Sequence, residues 1–145
     1  MREWLQAYLD GTLSPDDIAI LYHVGDEFSG ETDFRLHGDG VFSLWSTVTA
    51  GRARRDYTGR VDQKQVGDVA RALLRGQVWN VRHVRAIPGD DDPEVRIAVQ
   101  SGDSLAEVIL WVSEVNHRPA FADAQRSLIE LIREVSRGEV LEVGR

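Results

Sequence analysis

The fold is decided by residues 61–84, VDQKQVGDVARALLRGQVWNVRHV, which carry the most complete local instructions in the chain. Asp62 can cap a first helical turn, and Gln65, three residues later, can reach back to form a capping box. Val61 and Val66 stand where a hydrophobic staple would pack. The pattern therefore predicts that a helix begins immediately after Asp62.

The apolar residues of this segment lie on one helical face. Their spacing of i, i+3, i+4, i+7 and i+8 is typical of a helix that packs on a core. They are Val66, Val69, Ala70, Leu73 and Leu74. Gly76 stands where a left-handed C-terminal cap is expected, so it predicts the end of the helix. Val78, Trp79, Val81 and Val84 then form an apolar tail that must pack against a sheet or a second helix.

The composition is that of a folded protein without thiol chemistry. The 145 residues are 42% hydrophobic and 28% charged, and they predict a single domain, 1–145, with one core. The chain has no cysteine, which excludes disulfides, thiol nucleophiles and Cys-ligated metals. Its net charge of -7 argues against a double-stranded nucleic acid partner, whose phosphates need a basic surface.

The chain shows no targeting or membrane segment. The N-terminal residues MREW carry no apolar signal-peptide core, and no apolar run approaches the length of about 18 residues typical of a membrane span. We therefore expect a soluble cytoplasmic protein with no membrane partner. Lys64 is the only lysine among many arginines, a bias typical of GC-rich bacterial genomes.

Upstream of the decisive helix, the sequence predicts a short helix and then strands. Residues 4–9 have an apolar stripe that ends at Asp10-Gly11. Residues 18–24 follow a helix-start signal but are rich in β-branched and aromatic side chains, so helix and strand both stay open, and we favour the strand. Residues 32–49 alternate around a Gly38-Asp39-Gly40 turn and predict a hairpin. Residues 52–58 predict a third, exposed strand that ends at Gly59.

Downstream, the pattern predicts a second hairpin and a second long helix. Residues 95–112 turn at Ser101-Gly102-Asp103, and their second strand, 105–112, is apolar on both faces, as in the middle of a sheet. Pro119 opens a helix that Gly138 stops. The predicted fold is therefore α+β: an antiparallel sheet of five to six strands, two long helices on one face and a short N-terminal helix.

Metal and catalytic signals are weak. The four histidines lie in different elements without ligand spacing, and the acidic loop at Asp90–Asp92 lacks the alternation of a calcium loop. We expect a solvated loop, no metal and no cofactor, and the sequence leaves open whether the loop binds a cation. No nucleophile elbow or phosphate-binding loop is present. An enzyme would need a site assembled from His37, His83 or His117 and the carboxylates around Asp90.

The strongest candidate binding surface is basic and aromatic. It combines Arg and Tyr side chains of the third strand with a Trp of the strand before it. The residues are Arg52, Arg54, Arg55, Tyr57 and Trp45. Arg and aromatic residues are enriched in protein interfaces, and the net charge of -7 makes a protein partner a better interpretation than single-stranded nucleic acid. An edge strand protected by its charges is the alternative.

The order of elements over residues 18–137 resembles small bacterial α+β domains of unknown function. It is also similar in layout to emfourin-type inhibitors of thermolysin-like metallopeptidases. The resemblance lies in the loop bracketed by Gly25 and Gly30, the Asp39-Gly40 turn, Gly59 before the decisive helix, and the aromatic Trp79 after it. Asp26-Glu27, the N-terminal helix and the acidic loop depart from the inhibitor pattern. The resemblance implies that the Gly25–Gly30 loop, with Phe28, would carry inhibition.

Three function classes follow from these observations. The leading hypothesis is a non-enzymatic domain that binds another protein, and an inhibitor or immunity-type protein that blocks a partner enzyme is one form of it. Acidic charge suits such a role because it speeds encounter with a basic target. The second class is the enzyme with a fold-assembled histidine and carboxylate site. The third is a homodimer that forms through an edge strand.

Overall fold

The structure, a computed structural model, describes residues 1–80 and 93–142. Within them lies one antiparallel sheet with strand order β4-β3-β2-β1-β5-β6. The strands are β1 (Ile18–Asp26), β2 (Gly30–His37), β3 (Val41–Ser46), β4 (Arg55–Arg60), β5 (Glu94–Ser101) and β6 (Ser104–Trp111). The helices are α1 (Arg2–Leu9), α2 (Gln63–Arg75), α3 (Val112–Val115) and α4 (Pro119–Val135). The α+β prediction is confirmed. Val81, His83, Val84 and the acidic loop at Asp90–Asp92 lie outside the described residues.

Helix α2 begins as its sequence predicts. The Asp62 carboxylate accepts a 2.8 Å hydrogen bond from the Gln65 backbone N–H, and the Gln65 side chain accepts one of 3.2 Å from the Asp62 N–H. Val61 and Val66 are both buried. The capping box is therefore present, and the buried face of α2 packs against α4 over the sheet.

The prediction of a left-handed cap at Gly76 is wrong. Gly76 keeps right-handed helical angles, φ -74° and ψ -9°, and the positive φ falls on Gln77 instead. A Cβ atom at Gly76 would lie 2.7 Å from the Ala120 carbonyl oxygen and 3.0 Å from the Ala124 Cβ. A glycine is therefore needed at this position because α4 approaches closely, not because the backbone adopts a left-handed conformation.

Strand β1 lies in the centre of the sheet and settles the choice left open for residues 18–24. Ser14 caps a short 3₁₀ turn over Pro15–Asp17, and the chain then extends as β1. The alternate residues of β1 that face the helices are buried, as a central strand requires. The hairpin predicted over residues 32–49 forms between β2 and β3.

Strand β4 is displaced from its prediction. It runs from Arg55 to Arg60, so Arg52 and Arg54 precede the strand. Arg52 has a positive φ of 53°, and its N–H donates to the Thr49 carbonyl, which closes a turn. Because this turn uses residues 49–53, strand pairing starts only at Arg55.

Strand β6 lies at an edge of the sheet, and the prediction of a central strand for residues 105–112 is wrong. It pairs with β5 alone among the described strands. Val108 and Leu110 face the helices, whereas Leu105, Ile109 and Trp111 share the opposite face, as their register partners show. The strand is therefore apolar on both faces although it lies at an edge, and on its outer face Leu105 is exposed while Ile109 and Trp111 are half-buried.

The hydrophobic core lies between the sheet and the helices. Its largest fully buried side chains include Tyr22, Phe34, Phe121 and Leu73. Helix α1 joins this core through Leu5, and Tyr8 donates a 2.7 Å hydrogen bond to the Gly38 carbonyl. The two long helices cover one face of the sheet, as predicted. No described helix has the length and apolar character to cross a membrane.

Candidate functional site

The turn between β1 and β2 presents the most exposed large apolar side chain of the described residues. Phe28 is 89% exposed. The Asp26 carboxylate holds the turn, because its Oδ1 accepts hydrogen bonds from the Phe28 N–H at 2.9 Å and from the N–H and hydroxyl of Ser29 at 2.7 Å each. The bonds from Ser29, and then the one from Phe28, hold the pKa of Asp26 below its usual value. Phe28 therefore stands on an ordered turn.

Beside this turn lies an open cleft, here called the Phe28 cleft. Its walls come from the Phe28 turn, the segment after β3 and the C-terminal segment of the described chain. They include Phe28, Val48, Arg52, Leu141 and Glu142. Leu141 is 49% exposed, and its N–H donates to the Val48 carbonyl, which fixes the C-terminal segment against the sheet. Two of the predicted site residues, Phe28 and Arg52, thus share one surface.

The remaining predicted residues separate onto two faces of β4. Arg54 lies over the Trp45 ring at 4.5 Å and donates a 3.1 Å hydrogen bond to Asp56. Both contacts lie on the sheet face that carries none of the described helices, here called the helix-free face. Arg55 and Tyr57 lie on the helix-bearing face, where both donate to the Glu139 carboxylate. Arg54 with Trp45 therefore lies on one face of the sheet and Arg55 with Tyr57 on the other, so the structure does not bring these residues together on one surface.

Sequence reasoning missed the group that surrounds His23 on the helix-free face. One residue from each strand forms a row across this face. The row is Asp56, Trp45, Asp33, His23, Arg96 and Ile109. His23 Nδ1 lies 2.9 Å from Asp33 Oδ2, and Nε2 lies 3.1 Å from Glu31 Oε2. The hydrogen bond to Asp33 raises the pKa of His23, whereas desolvation and Arg96 oppose the rise.

A signal for this group was present in the sequence. His23, Glu31 and Asp33 occupy alternate positions on two strands joined by the Gly25–Gly30 loop, so the register of that hairpin alone brings them together. The carboxylates occupy both ring nitrogens. The arrangement therefore suits a structural ion pair across the sheet better than acid–base chemistry on a substrate.

The histidines named for an enzyme do not meet within the described chain. His37 pairs with Ala19 at the start of β1, whereas His117 follows α3 near the other end of the sheet. His83 and the Asp90 carboxylates are not described. In residues 1–80 and 93–142, no three His, Asp or Glu side chains form a group that could hold a metal ion.

No protein-family model matches the sequence, and no curated protein matches it.

Proposed function

We propose that this domain binds another protein and uses Phe28 as its anchor. The observation that carries the proposal is an almost fully exposed aromatic side chain on a turn held by three hydrogen bonds to one carboxylate. Aromatic anchors dominate the binding energy of many interfaces when they enter a partner's pocket. A turn that is ordered before binding loses little conformational entropy on association.

The Phe28 cleft supplies the rest of the proposed interface. Leu141 adds apolar surface, and Arg52, Glu27 and Glu142 add charged groups of both signs to the lining. Protein interfaces likewise combine apolar anchors with polar and charged groups. A fitting partner would offer an apolar pocket for Phe28 and a rim of mixed charge.

Inhibition of a partner enzyme is the second candidate. The observation that favours it is the rigid, projecting Phe28 turn, which is the kind of element that can enter and block a cleft. The layout similarity to emfourin-type inhibitors implies the same loop. Under this proposal, the wild-type domain slows peptide hydrolysis by thermolysin, and Phe28→Ser removes the effect. If wild type has no effect on thermolysin, inhibition of this enzyme class is refuted while protein binding stays open.

The proposal treats the domain as non-enzymatic and cytoplasmic, with no duplex nucleic acid partner. The enzyme alternative predicts activity that is lost on substitution of His37 or His117. The homodimer alternative predicts a solution mass of twice 16.3 kDa, with β4 or β6 paired to its copy. Light scattering distinguishes this alternative from binding to a different protein.

The experiment that tests the proposal is capture of partners from host lysate on immobilised wild type, Phe28→Ser and Leu105→Ser. Leu105 is a matched control because it is also an exposed apolar side chain, 55% exposed, but pairs with Gln100 at the opposite end of the sheet. We expect one protein captured in stoichiometric amount by wild type and Leu105→Ser and lost with Phe28→Ser. Equal capture by all three would refute the anchor.

A further inference from the structure

A second cavity, half open to solvent, lies between the sheet and α4. Its volume is about 180 Å³, and β1, β2, α3, α4 and the segment after α4 all contribute to its walls. Most of the lining is apolar. The apolar residues include Val24, Val112, Val115, Ile129, Ile132 and Val140. An apolar cavity of about 150 Å³ is large enough to hold a benzene ring, so this one can hold a small ring or a branched chain.

One polar group in this cavity has an unused hydrogen. Tyr22 is 2% exposed, and its hydroxyl oxygen accepts a 2.9 Å hydrogen bond from Gln125 Nε2. Within residues 1–80 and 93–142, the Tyr22 hydroxyl donates to no acceptor. Burial raises the pKa of Tyr22, so the hydroxyl keeps its proton and stays a donor. A buried donor without an acceptor is destabilising, which favours a ligand that provides one.

The neighbouring hydroxyl of Thr32 does not compete for this role. Thr32 Oγ1 lies 2.9 Å from Ser46 Oγ, and the Ser46 hydroxyl can donate to the Glu31 carbonyl at 3.2 Å. When Ser46 donates its one hydrogen there, Thr32 must donate its own to Ser46. Thr32 then has no hydrogen for a ligand, so of the two buried hydroxyls that line the cavity it is Tyr22 that can donate to one.

We propose that this cavity binds a small neutral molecule with an apolar body and one acceptor oxygen, such as a ketone or ester carbonyl, to which Tyr22 donates. The neutral charge of the ligand follows from the charged groups at the rim of the cavity. Glu142 lies near enough to Tyr22 to act on it electrostatically, and Arg133 lies 3.7 Å from Glu142. An anionic ligand would meet Glu142, and Arg133 is already paired.

This site is distinct from the proposed protein interface. Leu141 and Glu142 contribute to both the cavity and the Phe28 cleft, so the two are neighbours. However, Tyr22 and the apolar side chains of Val115, Ile129 and Ile132 line the cavity and not the Phe28 cleft. Failure of either proposal leaves the other standing.

The test uses two probes of nearly identical shape, acetophenone and α-methylstyrene, which differ in that a methylene group replaces the carbonyl oxygen. Each is titrated into ¹⁵N-labelled protein and followed by ¹H–¹⁵N spectra. We expect acetophenone to shift amide signals of cavity residues such as Val115 and Ile129, and to bind about tenfold more tightly than α-methylstyrene, because one buried hydrogen bond separates them.

Two variants decide the outcome. Tyr22→Phe should weaken acetophenone about tenfold and leave α-methylstyrene unchanged, and Ile129→Trp should fill the cavity and abolish both. Signal dispersion in each variant's spectrum reports whether that variant folds. If Tyr22→Phe does not fold, the binding of both probes to Ile129→Trp still tests the proposal. The proposal is overturned if acetophenone shifts no cavity signal, if the two probes bind equally to wild type, or if Ile129→Trp binds as wild type does.

Discussion

The Asp26 carboxylate accepts a 2.9 Å hydrogen bond from the backbone N–H of Phe28, and this contact joins the most exposed large apolar side chain of the described residues to a fixed backbone. Ser29 adds two further bonds to the same oxygen. An exposed aromatic side chain on a mobile loop would lose conformational entropy when it binds a partner. The Phe28 turn has already lost this entropy on folding, so binding does not have to order it again.

Removal of the Asp26 carboxylate should loosen the Phe28 turn without unfolding the domain. In Asp26→Ala, we expect the backbone amides of Phe28 and Ser29 to become mobile, measured by a fall in their heteronuclear ¹⁵N NOE. Asp26→Asn is the matched control because its side-chain oxygen still accepts from both amides. The role of Asp26 is contradicted if both variants keep wild-type values.

The same turn should loosen in acid. The pKa of Asp26 is lower in the folded chain than its ordinary value of 3.8, because Ser29 and Phe28 donate to the carboxylate. Because the pKa is lowered, the Asp26 carboxylate stabilises the turn fully at a pH above its ordinary pKa. This stabilisation is lost as the pH falls through the pKa of the folded chain. In Asp26→Asn, the ¹⁵N NOE of the turn should not respond to pH over this range, and an equal response in both proteins would contradict the account.

Two glycines of one helix should respond to alanine in opposite directions. Gly76→Ala should destabilise the fold by about 1–3 kcal/mol, because its methyl group would meet the Ala120 carbonyl at 2.7 Å. Gly67→Ala should be neutral or stabilising by about 0.5–1 kcal/mol, because only the flexible end of Arg71 is near and alanine favours helix. Urea unfolding measures both. A stabilising Gly76→Ala would mean that α4 does not pack so closely.

The ion pair on the helix-free face should make stability depend on pH. The folded pKa of His23 is raised above 6.5, mainly by the hydrogen bond to Asp33, with Glu31 adding to the rise and Arg96 opposing it. The His23–Asp33 pair therefore stabilises the fold fully when the pH is below the pKa of His23 in the unfolded chain. This stabilisation is lost as the pH rises through the pKa of His23 in the folded chain. The free energy of unfolding should differ most between wild type and Asp33→Asn at about pH 5.5, and the difference should shrink by about pH 8.5.

The His23→Gln background is the control for this prediction. With His23 gone, the further change Asp33→Asn should cost an amount of stability that does not vary with pH across the same range. If the cost varies equally in both backgrounds, another group titrates and the His23–Asp33 pair is not responsible.

Arg54, which precedes β4, and Arg55, the first residue of β4, should differ in their effect on tryptophan fluorescence. Arg54 lies over the Trp45 ring, so Arg54→Ala should alter the emission and cost about 0.5–1 kcal/mol of stability. Arg55 faces Glu139 on the other side of the sheet, so Arg55→Ala should leave the emission unchanged. Equal spectra for the two variants would contradict the assignment of Arg54 and Arg55 to opposite faces.

Much of the architecture follows from local sequence signals. The capping box at Asp62 and Gln65, the turn at Gly38–Gly40 and the helix after Pro119 are each determined by a few neighbouring residues, and each forms as predicted. Such signals are strong because turns and caps satisfy backbone groups locally.

The errors arise where distant parts of the chain decide the outcome. Gly76 stands where a helix-capping glycine is expected, but a glycine is needed there because α4 approaches closely. The sequence of α2 alone holds no information about that approach. The turn closed by Arg52 moves the start of β4 to Arg55, so Arg52 and Arg54 precede the strand to which the sequence assigns them. Phe28 was identified by resemblance, whereas its exposure and the bonds that hold it depend on the completed hairpin.

The most direct test of the central claim places a photo-crosslinking amino acid, p-benzoylphenylalanine, at position 28 or, as the control, at position 105 of the otherwise wild-type protein in its native host. The account predicts one abundant adduct from position 28 that is absent from position 105, and weaker when Asp26→Ala loosens the turn. Adducts of equal yield from both positions, or none from position 28, would contradict it.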